Sequence, residues 1–245
     1  MQNSVLPTAS DSFGSIFVTA FRLFRENLAL IFGFLLLTSG PSIVLGLIGN
    51  ATTDTELLLY INIASLIWYS AFVTLSILLI SVLILNKTEN AEKSRGQIII
   101  NTFKILLKSS YTLLLQSFFM ILLLLLFVVP GIIYGIYWLF ANKVTLLTGK
   151  FGKDALMHSK ELVKGRWWPT FGKFIGISLL ASLTNLLIKT VLFFIIGTID
   201  SLAYTLPNLF LTILLSFFHG LLFLAMYLNY EATANKTQPA ANTLN

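Results

Sequence analysis

The sequence contains no cysteine, few charged residues and only two histidines. The absence of cysteine excludes disulfides, thiolate metal sites and a cysteine nucleophile. Asp, Glu, Lys and Arg make up 11% of the chain, against roughly 25% in soluble globular domains. With 56% hydrophobic residues and a mean hydropathy of +0.86, a water-soluble fold would leave much apolar surface exposed. The composition therefore indicates an integral membrane protein.

Long apolar runs set the number of predicted membrane spans. A helix that crosses the ~30 Å hydrocarbon layer needs about 20 mainly apolar residues. Four regions reach that length, and two of them are long enough to be divided, one at Pro130-Gly131 and one between Asp200 and Pro207. We therefore predict an all-α, polytopic transmembrane helical bundle within a single membrane domain, residues 1–230. The six predicted spans are residues 28–48, 57–85, 111–129, 132–148, 174–199 and 207–230.

Basic residues predict the orientation of these spans. Lys and Arg are concentrated in the N-terminal segment and in the connections after the second and fourth spans. Because cytoplasmic loops are enriched in these residues, both termini are expected to be cytoplasmic. A single kinked span over 111–148 would place two basic loops on opposite sides of the membrane. Because basic loops are expected on one side, the sequence favours a hairpin that turns at Pro130-Gly131. A re-entrant hairpin that returns before reaching the outer face stays open.

The spans are predicted to form three hairpins, each introduced by a short, basic, amphipathic interfacial helix. The first such segment is 13–25, where Phe and Ile recur at helical spacing. The third is 154–164, for which Gly165 is a natural end. Arg166, Trp167 and Trp168 then follow as expected interfacial anchors. Residues 231–245 are small and polar without periodicity, and we predict a disordered tail.

Catalytic residue types are scarce. The two histidines, His158 and His219, have no metal-ligand spacing, and all ten acidic residues lie in loops, at span ends or in the N-terminal segment. Metal or acid–base catalysis needs several such groups that converge. We therefore predict no catalytic residue, no metal site, no cofactor and no enzymatic activity.

One polar line within the spans is the candidate functional feature. Ser178, Ser182, Asn185 and Lys189 fall on one face of the fifth span, and His219 lies in the sixth. Such a face can line a solute path, because an intramembrane charge tends to face protein or water. The interpretation that the sequence favours is helix packing, with the Lys189 amine reaching the outer interface about 30 Å from the start of the helix. Both interpretations stay open from the sequence.

The net charge of +6 is carried by short segments beside apolar runs rather than by a separate domain. This favours membrane lipids with anionic headgroups over nucleic acid as the partner. The same bases could act only as an orientation signal, so lipid binding is an expectation.

The segment Val128-Val129-Pro130-Gly131-Ile132-Ile133, followed later by the helix from Ala155 to Gly165, resembles a known family. The Phe24–Asn27 and Tyr227–Tyr230 segments fit the same pattern. The family comprises the uncharacterised six-span bacterial inner-membrane proteins related to the membrane domain of glycerophosphodiester phosphodiesterases. The resemblance implies a bacterial plasma-membrane location and no agreed activity. The larger relatives carry their catalysis on a separate soluble domain that this sequence lacks, so no catalytic residue is transferred.

Taken together, these patterns predict a non-enzymatic scaffold or accessory in membrane lipid or envelope processes. The alternative is a small transporter or channel-like carrier. That alternative requires the Ser178 to Lys189 face and His219 to line one water-accessible cavity.

Overall fold

The computed structural model describes residues 12–65, 67–68, 95–197 and 202–237. These residues form helices and connecting turns without any β-strand, which confirms the all-helical prediction. The helices are α1 (Phe13–Glu26), α2 (Leu28–Ala51), α3 (residues 55–65), α4 (Arg95–Leu126), α5 (Val128–Tyr137), α6 (Ala141–Thr148), α7 (Lys153–Val163), α8 (Trp167–Ile196) and α9 (Leu202–Thr237).

Four helical segments in this part of the chain are long and apolar enough to cross a membrane. They overlap the predicted first, third, fifth and sixth spans and support the assignment to the membrane. The predicted second span, 57–85, lies largely outside the described residues. The four segments are Leu28–Gly49, Leu107–Leu126, Trp167–Ile196 and Ala203–Ala234.

The turn expected at Pro130-Gly131 lies instead at Phe127, so that prediction is wrong by one helical turn. Phe127 has an extended backbone (φ −156°, ψ 116°), and α5 begins at the next residue. Pro130 is then the third residue of α5. The first N–H groups of a helix have no intrahelical partner, so proline is tolerated there without the loss of a hydrogen bond.

The fourth predicted span, 132–148, is not one helix. It is divided into the 10-residue α5 and the 8-residue α6, with a tight turn between them. Ser159 of α7 stabilises this break, because its hydroxyl accepts the N–H of Phe140 (3.1 Å) and donates to the carbonyl of Tyr137 (2.7 Å). The prediction of a single span here is corrected. The count of six spans and the three-hairpin arrangement stay predictions.

α5 and α6 run antiparallel to α4. A Cβ atom added at Gly131 would lie 2.6 Å from Leu124 Cδ2, and one added at Gly135 would lie 3.0 Å from Met120 Cε. Further along, the hydroxyls of Thr112 and Thr145 are 3.1 Å apart. Close approach of the helices is therefore made possible by two residues without side chains.

The chain divides into two compact units. The described part of unit 1 comprises residues 12–20, 95–176 and 222–237. Its core includes the ring of Phe140, whose centroid lies 5.9 Å from that of Tyr227 and 5.2 Å from that of Tyr230.

The described part of unit 2 comprises residues 21–65, 67–68, 177–197 and 202–221. Edge-to-face contacts pair Phe24 with Phe218 and Phe32 with Phe210 at 5.6 and 5.5 Å. In unit 2, α9 therefore packs against the end of α1 and the start of α2.

The disordered tail predicted for 231–245 is wrong for its first seven residues. α9 continues to Thr237, and the side chains of Glu231 and Thr233 make tertiary hydrogen bonds. These hydrogen bonds hold the end of α9 in place, and a prediction from apolar residues alone does not take them into account. Residues 238–245 lie outside the described part.

Two predicted amphipathic helices are present. α1 buries Ile16 and Leu23 on one face and exposes Phe21 on another. α7 ends before Gly165, which has a φ of +83°, a conformation that glycine adopts without strain.

Substitution of Gly131 tests the antiparallel packing. We expect Gly131→Ala to lower the free energy of unfolding by about 1–3 kcal/mol, because Leu124 must move to admit the methyl group. Gly172→Ala is the matched control, since nothing lies within 4 Å of a Cβ atom at that position. Thermal unfolding in detergent measures both. Equal melting temperatures for the two variants would contradict the close contact.

Candidate functional site

The polar face predicted on the fifth span lies on α8 in unit 2. Asn185 donates its side-chain amide to the carbonyl of Ala181, one turn earlier, at 3.0 Å. The side chains of Ser182 and Lys189 are exposed, and Ser178 is half-buried. An amide bonded within its own helix and an exposed lysine fit the packing and snorkelling interpretation.

His219 is half-buried on α9, and its ring centroid lies 6.5 Å from that of Phe218. Ser216, nearby on the same helix, donates to the Thr212 carbonyl at 2.8 Å. Within the described residues, no hydrogen bond or ion pair links His219 to the α8 polar face. In this part of the chain, the two predicted features are therefore not directly bonded to each other.

A groove of about 480 Å³ in unit 2 does bring Lys189 next to polar atoms of α9. Its lining includes Lys189, Thr190, Tyr204 and Asn208. The side-chain oxygens of Asn208 and of Thr212, one turn further along α9, are buried and lack a hydrogen-bond partner among the described residues. Such oxygens are costly to leave unpaired. This groove is the feature that favours a solute site.

The predicted interfacial anchors lie in unit 1 and have different roles. Arg166 donates to the Thr233 hydroxyl (2.6 Å) and to the Tyr230 carbonyl (3.3 Å), and its guanidinium lies 4.2 Å from the centre of the Tyr230 ring. It joins the start of α8 to the end of α9. Trp168 is 74% exposed, as expected of a residue in contact with lipid, whereas Trp167 is half-buried.

A second polar network in unit 1 was not predicted. His158 Nε2 lies 2.7 Å from Glu231 Oε1, and the Tyr227 hydroxyl donates to the same oxygen at 2.7 Å. On its other side, His158 Nδ1 lies 3.1 Å from the ammonium of Lys150. Four polar side chains from three segments of the chain are thus connected.

The chemistry of these groups fixes the hydrogen positions in the network. An ammonium group can only donate, so Nδ1 of His158 accepts from Lys150. Nε2 then carries the hydrogen and donates to the Glu231 carboxylate. The neutral imidazole is therefore the form that satisfies both neighbours, and the network holds α7 to the end of α9.

Lys143 of α6 is a buried cation that lies outside the four candidate spans. Its side chain is 9% exposed, and burial lowers the pKa of its ammonium to about 8. The sequence shows this base within the predicted fourth span, and the structure places it as the third residue of α6.

Basic side chains dominate this part of unit 1. Residues 104–173 contain nine Lys or Arg and two acids, Asp154 and Glu161. The described residues include no group of three or more His, Asp or Glu that could hold a metal ion. Six of the nine bases are exposed, so the surface carries positive charge suited to an anionic partner: Lys104, Lys108, Lys150, Lys153, Lys160 and Lys164.

No protein-family model, curated protein or solved structure matches this chain. The resemblance to the six-span inner-membrane family therefore stays a prediction.

Glu231 and Thr233 were missed because they were included in the predicted tail. A signal was present, since Tyr227 and Glu231 are four residues apart and lie on one face if the last helix continues. The partner of Glu231 on α7, 73 residues earlier, could not be read from local pattern.

A double-mutant cycle tests the His158–Glu231 contact. We expect Glu231→Ala to lower the free energy of unfolding by about 1.5–3 kcal/mol, because a hydrogen bond to a charged group is lost. His158→Ala should then have little additional effect, with a coupling of about 0.5–3 kcal/mol measured by thermal or chemical unfolding. Glu161→Ala is the control, because that side chain is 73% exposed and its carboxylate lies 4.0 Å from His158, which is too far for a hydrogen bond. Additive effects of the His158 and Glu231 changes would contradict a direct contact.

Proposed function

We propose that this protein is a non-enzymatic membrane protein that acts as a scaffold or accessory in membrane lipid or envelope processes. The observation that carries the proposal is the juxtaposition in unit 1 of an exposed apolar hairpin and a basic, aromatic surface. Leu125, Phe127 and Val129 at the end of the hairpin are 81%, 68% and 67% exposed, while Lys160 of α7 lies over two tyrosine rings of α5. Apolar and cationic groups side by side suit a phospholipid surface.

The α4–α5 hairpin is proposed to be re-entrant. α5 has 10 residues, or about 15 Å of helix, which is half of the ~30 Å hydrocarbon layer. Beyond it, α6 carries Asn142 and Lys143, which are expensive to place in lipid. A re-entrant hairpin begins and ends on the same face of the membrane. The basic residues that precede the hairpin and those in α7, which follows it, are therefore both proposed to lie on the cytoplasmic face. The proposed location is a bacterial inner membrane with both termini cytoplasmic.

Cysteine labelling in whole cells tests this topology, since the protein has no other thiol. We expect Phe127→Cys to resist a membrane-impermeant maleimide both before and after permeabilisation, because the thiol lies in hydrocarbon. Asp54→Cys, in a predicted outer loop, should react in intact cells, and Lys153→Cys only after permeabilisation. Labelling of Phe127→Cys from outside, at the level of Asp54→Cys, would show that the hairpin crosses fully.

The second candidate function is a small transporter or channel-like carrier. It is favoured by the unit 2 groove, where Lys189 lies beside Asn208 with its unpaired oxygen. A cation and an amide in one groove could bind a carboxylate or other anionic solute.

Complementation of a deletion strain separates these functions. We expect the deletion to alter membrane lipid composition or envelope permeability to a dye, and Lys189→Leu to restore the wild-type values, because an exposed snorkelling lysine changes stability by no more than about 0.5 kcal/mol. Lys189→Arg, which keeps the charge, is the matched control. If Lys189→Leu fails at a normal protein level while Lys189→Arg succeeds, the carrier function is favoured. An unchanged lipid and permeability profile in the deletion strain would contradict the scaffold proposal.

A further inference from the structure

An apolar groove of about 440 Å³ lies on the surface of unit 1, between α5 and the start of α8. This groove, here called the Trp167 groove, falls within the ~300–1,000 Å³ range of ligand pockets. Along α5 its lining changes from aliphatic residues near the start of the helix to Tyr137 at its end, and the start of α8 adds two tryptophans. It is lined by Val129, Ile132, Ile133, Tyr137, Trp167 and Trp168.

The aromatic wall of the groove is held in place by specific contacts. The indole N–H of Trp167 donates to the Ile133 carbonyl at 3.1 Å. Its ring is stacked on Phe171, with centroids 5.1 Å apart and planes 9° from parallel, and Trp168 meets it edge-on at 4.8 Å. Because these rings are fixed by their neighbours, the groove is preformed and loses little side-chain entropy on binding.

The polar end of the groove carries an uncompensated positive charge. The ammonium of Lys160 lies 5.8 Å from the centre of the Tyr137 ring, which lines the groove, and 5.4 Å from that of Tyr134. Lys160 is exposed, and no Asp or Glu oxygen in the described ranges lies within 4.0 Å of it. An anionic group placed at this end would therefore find a cation without a competing carboxylate.

We propose that the Trp167 groove binds one anionic phospholipid, with an acyl chain along Val129, Ile132 and Ile133 and the phosphate beside Lys160. This inference rests on the proposed lipid-associated function and assigns a site to it. A phospholipid fits because the groove is apolar at one end and cationic at the other. A second copy of this chain would have to bring both an apolar segment and an acid to the same place.

Photo-crosslinking locates the bound lipid. The full-length protein is reconstituted in phosphatidylcholine vesicles that contain either phosphatidylglycerol or phosphatidylcholine with a diazirine in the acyl chain, and adducts are mapped by mass spectrometry. We expect adducts concentrated within 129–137 and at 167–168. The phosphatidylglycerol yield should exceed the phosphatidylcholine yield about fivefold, the effect of one basic residue near the surface.

Two variants separate the apolar and the charged parts of the site. Ile132→Trp fills the groove from an exposed position and should reduce the yield several-fold for both probes, with Leu183→Trp, on the exposed face of α8, as its control. Lys160→Gln should reduce the phosphatidylglycerol yield to that of phosphatidylcholine, with Lys153→Gln as its control.

Three results would overturn the assignment. They are adducts spread evenly over lipid-facing helices, an undiminished yield in Ile132→Trp, and protein–protein adducts in place of lipid adducts. The deletion strain tests the scaffold function without reference to this groove, so a negative crosslinking result would reject the site alone.

Discussion

The fold depends on one constraint, which is that lipid offers no hydrogen-bond partner to the backbone. Each N–H and C=O within the hydrocarbon layer must be paired inside the chain, and a helix is the local way to do this. Where the helix is interrupted, another group has to supply the pairing. At the break between α5 and α6, the hydroxyl of Ser159 does so for Phe140 and Tyr137. At this break, the irregular backbone is therefore covered by α7.

The same constraint explains where the charges of unit 1 lie. Arg166 is bonded to Thr233 and Tyr230, and His158 to Glu231 and Lys150. A charged or polar side chain removed from water needs such partners, because the cost of its desolvation is large. Lys160, in contrast, is exposed, and no carboxylate oxygen of the described residues lies within 4.0 Å of its ammonium. Arg166 and His158 therefore connect helices through their hydrogen bonds, whereas the exposed Lys160 remains able to bind an anion.

The sequence predicted the helical class and several span positions because both depend on run length. The segment Leu28–Gly49 differs from the predicted first span by a single residue, and the helix end at Gly165 follows from glycine conformation alone. The turn at Phe127 could not be predicted, since Pro130 is compatible both with a turn and with the first turn of a helix.

Tertiary partners account for the remaining differences. Lys143 was visible as a base within an apolar run, but the break between α5 and α6 depends on Ser159 of α7, which lies 19 residues after Phe140 in the chain. The groove beside Trp167 combines residues more than 30 positions apart, for which periodicity carries no information. The polar face of α8 stays a prediction, and the hydrogen bond of Asn185 within its own helix was not readable from spacing.

The long-range bonds of Glu231 and Thr233 also affect the order in which the protein is assembled. A ribosome delivers α7 and the start of α8 well before the end of α9 is synthesised. Until then, His158 and Arg166 have no acceptors from that helix, and the surface around Phe140 is without Tyr227 and Tyr230. The core of unit 1 therefore forms only after residues 227–233 are synthesised, and until then the Phe140 ring and the Arg166 guanidinium lack these partners.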